Sequence, residues 1–395
     1  MQYTLFGDGI HDDTAAIQEM LNSYSEVILP APKVCYLISK PLVLRSFCKL
    51  TLPRYAEIRL APDSNCVMLK NETKDSYAKR SDSKLFGSYL NYYSPDAPCQ
   101  NIAVEGGVWN FNNKNQNPNP LSNGKYEPEG YSGFGFLFYN VQNLAMSNLT
   151  LKDPCNFAVT MDTVSYFDIH DITFDYNDGN LYQSNMDGIH LCGNCHHGNL
   201  ERLFGTCYDD IVALNAHEGS CGPITDITVS KIYTQEAYSA VRLLSASKKS
   251  PIKNVHICDI YGTFYHFCVA MMHFYETGEQ GVLENITIDN IYASKSSRDK
   301  VKFYLVHKYR KYGIIDASEE LDIKNLCITN LHRCEKVDMT PTIWFFENTN
   351  IENLILKNIT CENKTNEKDM PLLQIDCDVK EMSLSMLFEN GKAVE

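Results

Sequence analysis

Asn254-Val255-His256-Ile257-Cys258-Asp259-Ile260 is the stretch whose pattern decides the fold. It reads Asn, aliphatic, one residue, aliphatic, two residues, aliphatic. The phrase recurs along the chain. Earlier copies are Asn143-Leu144-Ala145-Met146-Ser147-Asn148-Leu149, Phe167-Asp168-Ile169-His170-Asp171-Ile172, Asn199-Leu200-Glu201-Arg202-Leu203 and Asp226-Ile227-Thr228-Val229-Ser230-Lys231-Ile232. Later copies are Asn285-Ile286-Thr287-Ile288, Asn325-Leu326-Cys327-Ile328 and Asn353-Leu354-Ile355-Leu356. The spacing is roughly 23 to 40 residues, commonly about 28, as in stacked repeat proteins.

Within each copy apolar and polar residues alternate, which is the signature of a short strand with one buried face. Asn, Asp and Gly separate the copies, and helix-period stretches between them are almost absent. A strand-only repeat of this length predicts a parallel β-helix, each coil stacking its strands on the coil before. A β-propeller would need about 40 residues per blade and tight hairpin turns, so the spacing favours the solenoid. The expected fold is all-β, with one continuous core making residues 1–395 a single domain.

The N-terminal part, residues 1–40, reads differently. Asp12-Asp13-Thr14 offers helix N-cap side chains, and Ala15, Ala16, Ile17, Met20 and Leu21 form an apolar helical face. A short helix there would cap the open end of the solenoid. Val27-Ile28-Leu29-Pro30 and Tyr36-Leu37-Ile38 read as the first strands. Residues 70–100, 112–132 and 296–320 break the period with polar sequence and are expected to be inserted loops, of the kind that can wall a groove.

Composition narrows the partners. Of 395 residues, 35 are Lys or Arg and 49 Asp or Glu, a net charge of −14, which argues against a general nucleic-acid binder. No run of about 18 apolar residues suggests a membrane span. Met1-Gln2-Tyr3-Thr4-Leu5-Phe6-Gly7-Asp8-Gly9 lacks the basic and apolar regions of a secretion signal, so a cytoplasmic protein is expected. The 15 cysteines follow no framework spacing and read as reduced, buried thiols. Cys192-Gly193-Asn194-Cys195-His196-His197 has zinc-like spacing but no second ligand pair, so it too reads as structural, and no metal or other cofactor is expected.

The chemistry gathers in Asn185-Met186-Asp187-Gly188-Ile189-His190 and Tyr208-Asp209-Asp210-Ile211-Val212-Ala213-Leu214-Asn215. Asp187 precedes Asp209 and Asp210 by 22 and 23 residues, one coil, and stacked coils lie about 4.8 Å apart. Three carboxylates on one patch repel one another, and a protein that keeps them uses them for acid/base work or a cation. Neighbouring residues of a regular strand face opposite ways, so Asp209 and Asp210 share a face only at a bend. Arg242, one coil further on, is the natural partner for them or for an acidic sugar. Asn215, His217 and Glu218 follow the acidic strand and are candidates for the same groove. His190 joins it only through a turn. Trp109 offers a ring for a sugar face, although a Trp in Gly106-Gly107-Val108-Trp109 more commonly packs in the core.

Gly7-Asp8-Gly9-Ile10-His11-Asp12-Asp13-Thr14-Ala15-Ala16-Ile17-Gln18 resembles the N-terminal signature of pectate-lyase-like right-handed parallel β-helix proteins. Asn185-X-Asp187-Gly188-Ile189 with Asp209-Asp210 resembles the catalytic signature of polygalacturonases, the family 28 glycoside hydrolases. The likeness runs from residue 1 to about 290. It implies inverting hydrolysis, with Asp209 as general acid and Asp187 and Asp210 holding the nucleophilic water. The family's Gly-His-Gly and Arg-X-Lys motifs are replaced by Tyr238-Ser239-Ala240-Val241-Arg242 and Phe267-Cys268-Val269-Ala270-Met271, so polygalacturonate is not the expected substrate. The expected partner is an oligosaccharide, with uronic acid content left open. A lyase or epimerase on the same fold is the alternative, and a non-catalytic carbohydrate-binding β-helix the further one. The sequence leaves a homo-oligomer open.

Overall fold

The recurrent aliphatic positions become columns through the molecule. Val255 lies in register with Ile286, Leu326 and Leu354 on successive coils. Ile257, Ile288, Ile328 and Leu356 form a second column, and Ile260, Ile291, Leu331 and Ile359 a third. All are buried. The computed structural model describes residues 4–74, 94–117, 133–176, 185–273, 275–297 and 312–394. Through these the long strands Val159–Asp175, His196–Thr206, Ile224–Leu244, Ile252–Met272, Gly281–Lys295, Leu321–Glu335, Asn350–Asn363 and Asp378–Glu389 stack in parallel, each on the one before. The only antiparallel pairing among the described residues is Phe388 with Ala393 and Glu389 with Lys392, at the C-terminal end. The chain is a parallel β-helix.

The Asn of the repeated phrase has its own reason. Asp226, Asn254 and Asn285 occupy a corner with φ of 60°, 54° and 58°, the left-handed conformation that Asn and Asp tolerate best. Their side chains bond along the stack. Asn254 Nδ2 donates to Asp226 Oδ1 at 2.8 Å, and Asn285 to Asn254 at 2.8 Å. Asn325 then donates to Asn285 at 2.6 Å, and Asn353 to Asn325 at 2.8 Å. One residue type thus turns the chain and ties each coil to the next.

One apolar core runs from Ile17 to Leu387. The helix Thr14–Ser23 covers its N-terminal end, with Ile17 and Leu21 buried. Ala15 is exposed, which narrows the expected apolar face. Asp13 is the N-cap residue but makes no side-chain cap; its carboxylate instead accepts the Phe6 N–H at 2.6 Å and the Gly7 N–H at 3.1 Å, while Asp12 Oδ1 accepts that of Thr14. The first strands are Glu26–Ile28 and Tyr36–Ile38.

The expected insertions shrink at their edges. Leu69–Asn71 and Cys99–Glu105 are coil strands flanking the first. Ile315–Ala317, assigned from sequence to the third, pairs with Val269–Met271 and with Ile343–Phe345, so that part of the interval belongs to the solenoid. The remaining parts of the three intervals, 75–93, 118–132 and 298–311, lie outside the described residues.

Ile257→Ala removes a fully buried side chain from the middle of a column. The expected loss is about 2–5 kcal/mol, read as a lower urea midpoint with unchanged slope.

Candidate active site

Two consecutive coils bring the carboxylates together. Asp187 stands just before the strand Ile189–Leu191, which pairs residue for residue with Val212–Leu214. Gly188 makes this approach feasible, because a Cβ there would lie 2.6 Å from the Ile211 carbonyl oxygen and 2.7 Å from the Phe174 ring. Residues 208 and 209 form a bend ahead of the strand Asp210–Asn215. That bend lets Asp209 and Asp210 converge despite being adjacent. One carboxylate oxygen from each of Asp187, Asp209 and Asp210 lies within 4.8 Å of the others.

Arg242 sits on the pair. It lies in register with Ala213, one coil beyond His190, and places Nη2 3.1 Å from Asp209 Oδ1 and Nε 2.9 Å from Asp210 Oδ2. Of the two partners the sequence offered Arg242, the Asp pair and an acidic sugar, the structure shows it in contact with the Asp pair. Two carboxylates that are 1% and 0% exposed need a cation in contact more than a substrate does. Ser239 Oγ donates to Asp210 Oδ1. Asp187 Oδ1 accepts the Asp210 N–H at 3.1 Å, so its carboxylate also holds the Asp209–Asp210 bend in place. Asp209 Oδ2 is buried with no hydrogen-bond partner among the described residues.

His190 does join the site. Its Nδ1 lies 2.6 Å from Asp187 Oδ2 and its Nε2 2.8 Å from Glu218 Oε2, with Phe157 stacked at 4.0 Å and 7°. Glu218 in turn accepts from Tyr275 Oη at 2.6 Å and from the Asn215 side chain. These residues support the triad from behind. His217 stands further off, with Nδ1 2.9 Å from Ser250 Oγ and its ring 5.4 Å from Tyr275. Trp109 does not belong to the site. It is fully buried in the strand Val108–Asn110, donates Nε1–H to the Gly106 carbonyl at 3.2 Å and meets Phe136 edge-on. Its inward strand position and large apolar area decide its place. Cys192 and Cys195 are buried as well, and burial pushes the Cys192 thiol up to about 12.

Sequence reading passed over Ser239 and Tyr275. Ser239 is in register with Asp210, so one coil of spacing would have found it. Tyr275 follows a strand end and carried no such signal.

The electrostatics pull in two directions. Burial drives the Asp209 carboxyl well above its ordinary range, against the attraction of Arg242 and with the repulsion of Asp210 and Asp187. Burial likewise raises Asp210 to about 7, against Arg242. Burial would lower His190, but its bonds to Asp187 and Glu218 outweigh that and hold it well above its ordinary value, as an imidazolium. For Glu218, burial is overcome by bonds from His190, Tyr275 and Asn215, and its pKa falls. The site therefore contains carboxyls that favour a proton beside a charge pair that favours ionisation.

No protein-family profile matches the chain, and no curated protein sequence does. Solved structures similar to this chain include exopolygalacturonases, a tailspike protein and a surface adhesin, all right-handed β-helix proteins, and the likeness of fold gives the coil the same hand. The hyperthermoactive exopolygalacturonase from Thermotoga maritima superimposes with a TM-score of 0.62 at 14% identity, covering 99% of this chain and 90% of that one. The tailspike protein mutant of E. coli bacteriophage HK620 in complex with pentasaccharide gives 0.63 at 13%, covering 96% of this chain and 64% of the other. The A-module of the Azotobacter vinelandii mannuronan C-5 epimerase AlgE6 gives 0.58 at 11%, with 98% of each chain covered. At such identities the likeness is one of fold.

A carboxyl whose folded pKa is raised stabilises the fold below its unfolded pKa, and that stability is lost as pH rises through the folded value. The melting temperature is thus expected to fall as pH rises from about 4, where Asp210 ionises in the unfolded chain, to about 7, where it ionises in the fold. In Asp210→Asn this fall is expected to flatten; an equally steep fall would assign it to other groups. Arg242→Ala is expected to lose about 3–5 kcal/mol near neutral pH, since it strands buried carboxylates, measured by chemical unfolding.

Proposed function

We propose that this protein is a glycoside hydrolase acting on an oligosaccharide. The observation that supports this best is the meeting of Asp187, Asp209 and Asp210 within 4.8 Å on two stacked coils. Asp209 is the general acid. Its raised pKa keeps the proton, and its unpartnered Oδ2 is where that proton would sit, ready for the leaving glycosidic oxygen. Oxygens this close can share one water, and Asp187 and Asp210 are the pair that would hold and deprotonate it. His190, clamped by Glu218, fixes the orientation of Asp187. The three carboxyl groups are almost closed off from bulk solvent.

A likeness of fold to an exopolygalacturonase and to a tailspike in complex with a pentasaccharide agrees with a carbohydrate substrate. The second reading is a lyase or epimerase with a cation on the triad, which the epimerase neighbour and the three converging oxygens favour. Against it, the Arg242 guanidinium already lies where a cation would neutralise Asp209 and Asp210.

Asp209→Asn is expected to reduce turnover about 10²–10⁴-fold, followed as new reducing ends from a panel of oligosaccharides. An unsaturated product absorbing in the ultraviolet, or activity abolished by a chelator, would move the assignment to the second reading. The carboxyl spacing is shorter than the roughly 6.5–9.5 Å usual for inversion. Proton NMR of the first-formed anomer is expected to show inversion through the shared water; retention would make one of the carboxylates a nucleophile.

A further inference from the structure

Among the described residues, the buried cations beside the triad are already engaged. Arg242 contacts Asp209 and Asp210 at 3.1 and 2.9 Å. Both ring nitrogens of His190 lie on carboxylates, at 2.6 and 2.8 Å, and its ring is stacked against Phe157. The next buried cations towards the C-terminus are also held. Lys295 Nζ donates to the carbonyl oxygens of His266 and Gly313, and Arg333 pairs with Glu335 at 2.8 Å while donating to the carbonyls of Thr340 and Asp338. Against Arg242 and His190 stand Asp187, Asp209, Asp210 and Glu218. The patch is therefore net negative when ionised and neutral when Asp209 and Asp210 hold protons.

Three oxygens on this face are left over. Asp209 Oδ2, Asn215 Oδ1 and Thr160 Oγ1 are buried without a hydrogen-bond partner among the described residues. Thr160 is the register partner of His190, so it belongs to the same face. All three can accept from a sugar hydroxyl when Asp209 is ionised, and none carries the positive charge that a carboxylate needs as a partner. Tyr265 and Tyr238 extend the face one coil further, with ring centroids 6.1 Å apart and Tyr265 half exposed. An aromatic ring suits the apolar face of a pyranose and adds no charge.

From this arrangement we propose that the site takes a neutral glycoside and rejects uronic acids: hydroxyl groups find acceptors there, whereas a carboxylate finds, among the described residues, no buried cation beside the triad that is not already held by groups of the protein. This rests on the hydrolase reading for the location of the site, and it deepens that reading by naming the substrate class. Inserting a uronate would either leave an anion desolvated and unpaired or draw Arg242 away from Asp209 and Asp210, and both are strongly unfavourable.

The test uses sugars that differ only in charge. Galacturonan oligosaccharides, their fully methyl-esterified forms and the corresponding galactan oligosaccharides, together with neutral and uronic members of a gluco- and manno-series, are offered to the full chain. Cleavage is followed as reducing ends. Binding is followed separately by calorimetry on Asp209→Asn, so that chemistry and recognition are read apart. The expected result is that kcat/KM and affinity favour neutral members over their acidic counterparts by at least about 100-fold, and that methyl esterification moves a uronide towards the neutral value. Preference for the free uronide, in cleavage or in binding, overturns the proposal while leaving the hydrolase reading intact. Selective binding of neutral sugars without cleavage by the wild type overturns the hydrolase reading and keeps the substrate class. Failure to bind or cleave any member of either class overturns both. Arg242→Lys adds a second check: if Arg242 clamped uronates, the variant would lose acidic substrates selectively, whereas an internal counter-ion gives equal losses on both classes.

Discussion

Coil-on-coil register is the constraint on which this structure depends. Parallel pairing fixes each strand directly over the one before, so whatever lies one coil apart in sequence is brought into contact. For aliphatic residues the result is the set of columns through Val255, Ile257 and Ile260 that make the core. For the corner Asn residues it is a chain of amide bonds from Asp226 to Asn353. For acidic residues it is a forced meeting of like charges. The same geometry that stabilises the apolar columns creates the electrostatic stress of the triad.

That stress is resolved by neighbours in the same register. Arg242 arrives from the next coil to neutralise Asp209 and Asp210, Ser239 donates to Asp210, and His190 is held between Asp187 and Glu218. The result is division of labour among carboxyls of one chemical type. Burial without a hydrogen-bond donor leaves Asp209 Oδ2 favouring a proton, whereas the imidazolium and the backbone N–H of Asp210 give both Asp187 oxygens donors. An acid and a base held side by side at neutral pH require such unequal surroundings. Arg242 and His190 are both placed to answer internal anions.

The parallel β-helix supports several chemistries, and structures similar to this one include an exopolygalacturonase, an epimerase module and a tailspike protein. The fold therefore supplies a frame, and function has to be argued from the side chains on one of its faces. Tyr238-Ser239-Ala240-Val241-Arg242 lies on that face, one coil beyond the Asp pair. Ser239 and Arg242 face the Asp pair and serve it, so the positions nearest the triad are used for support.

The repeated phrase determined the β-helix, the direction of its strands and the one-coil meeting of Asp187 with Asp209 and Asp210, because period and register are properties of spacing alone. Spacing also brought Arg242 to the correct coil. The direction in which side chains point was settled by tertiary structure. The bend at residues 208 and 209 let adjacent carboxylates share a face, the turn at Asp187 brought His190 into contact with it, and burial drew Trp109 into the core. Between the two partners the sequence left open for Arg242, the same cause brought it onto the carboxylates. A buried charge takes the nearest opposite charge, and which charge is nearest depends on how the coils close over it.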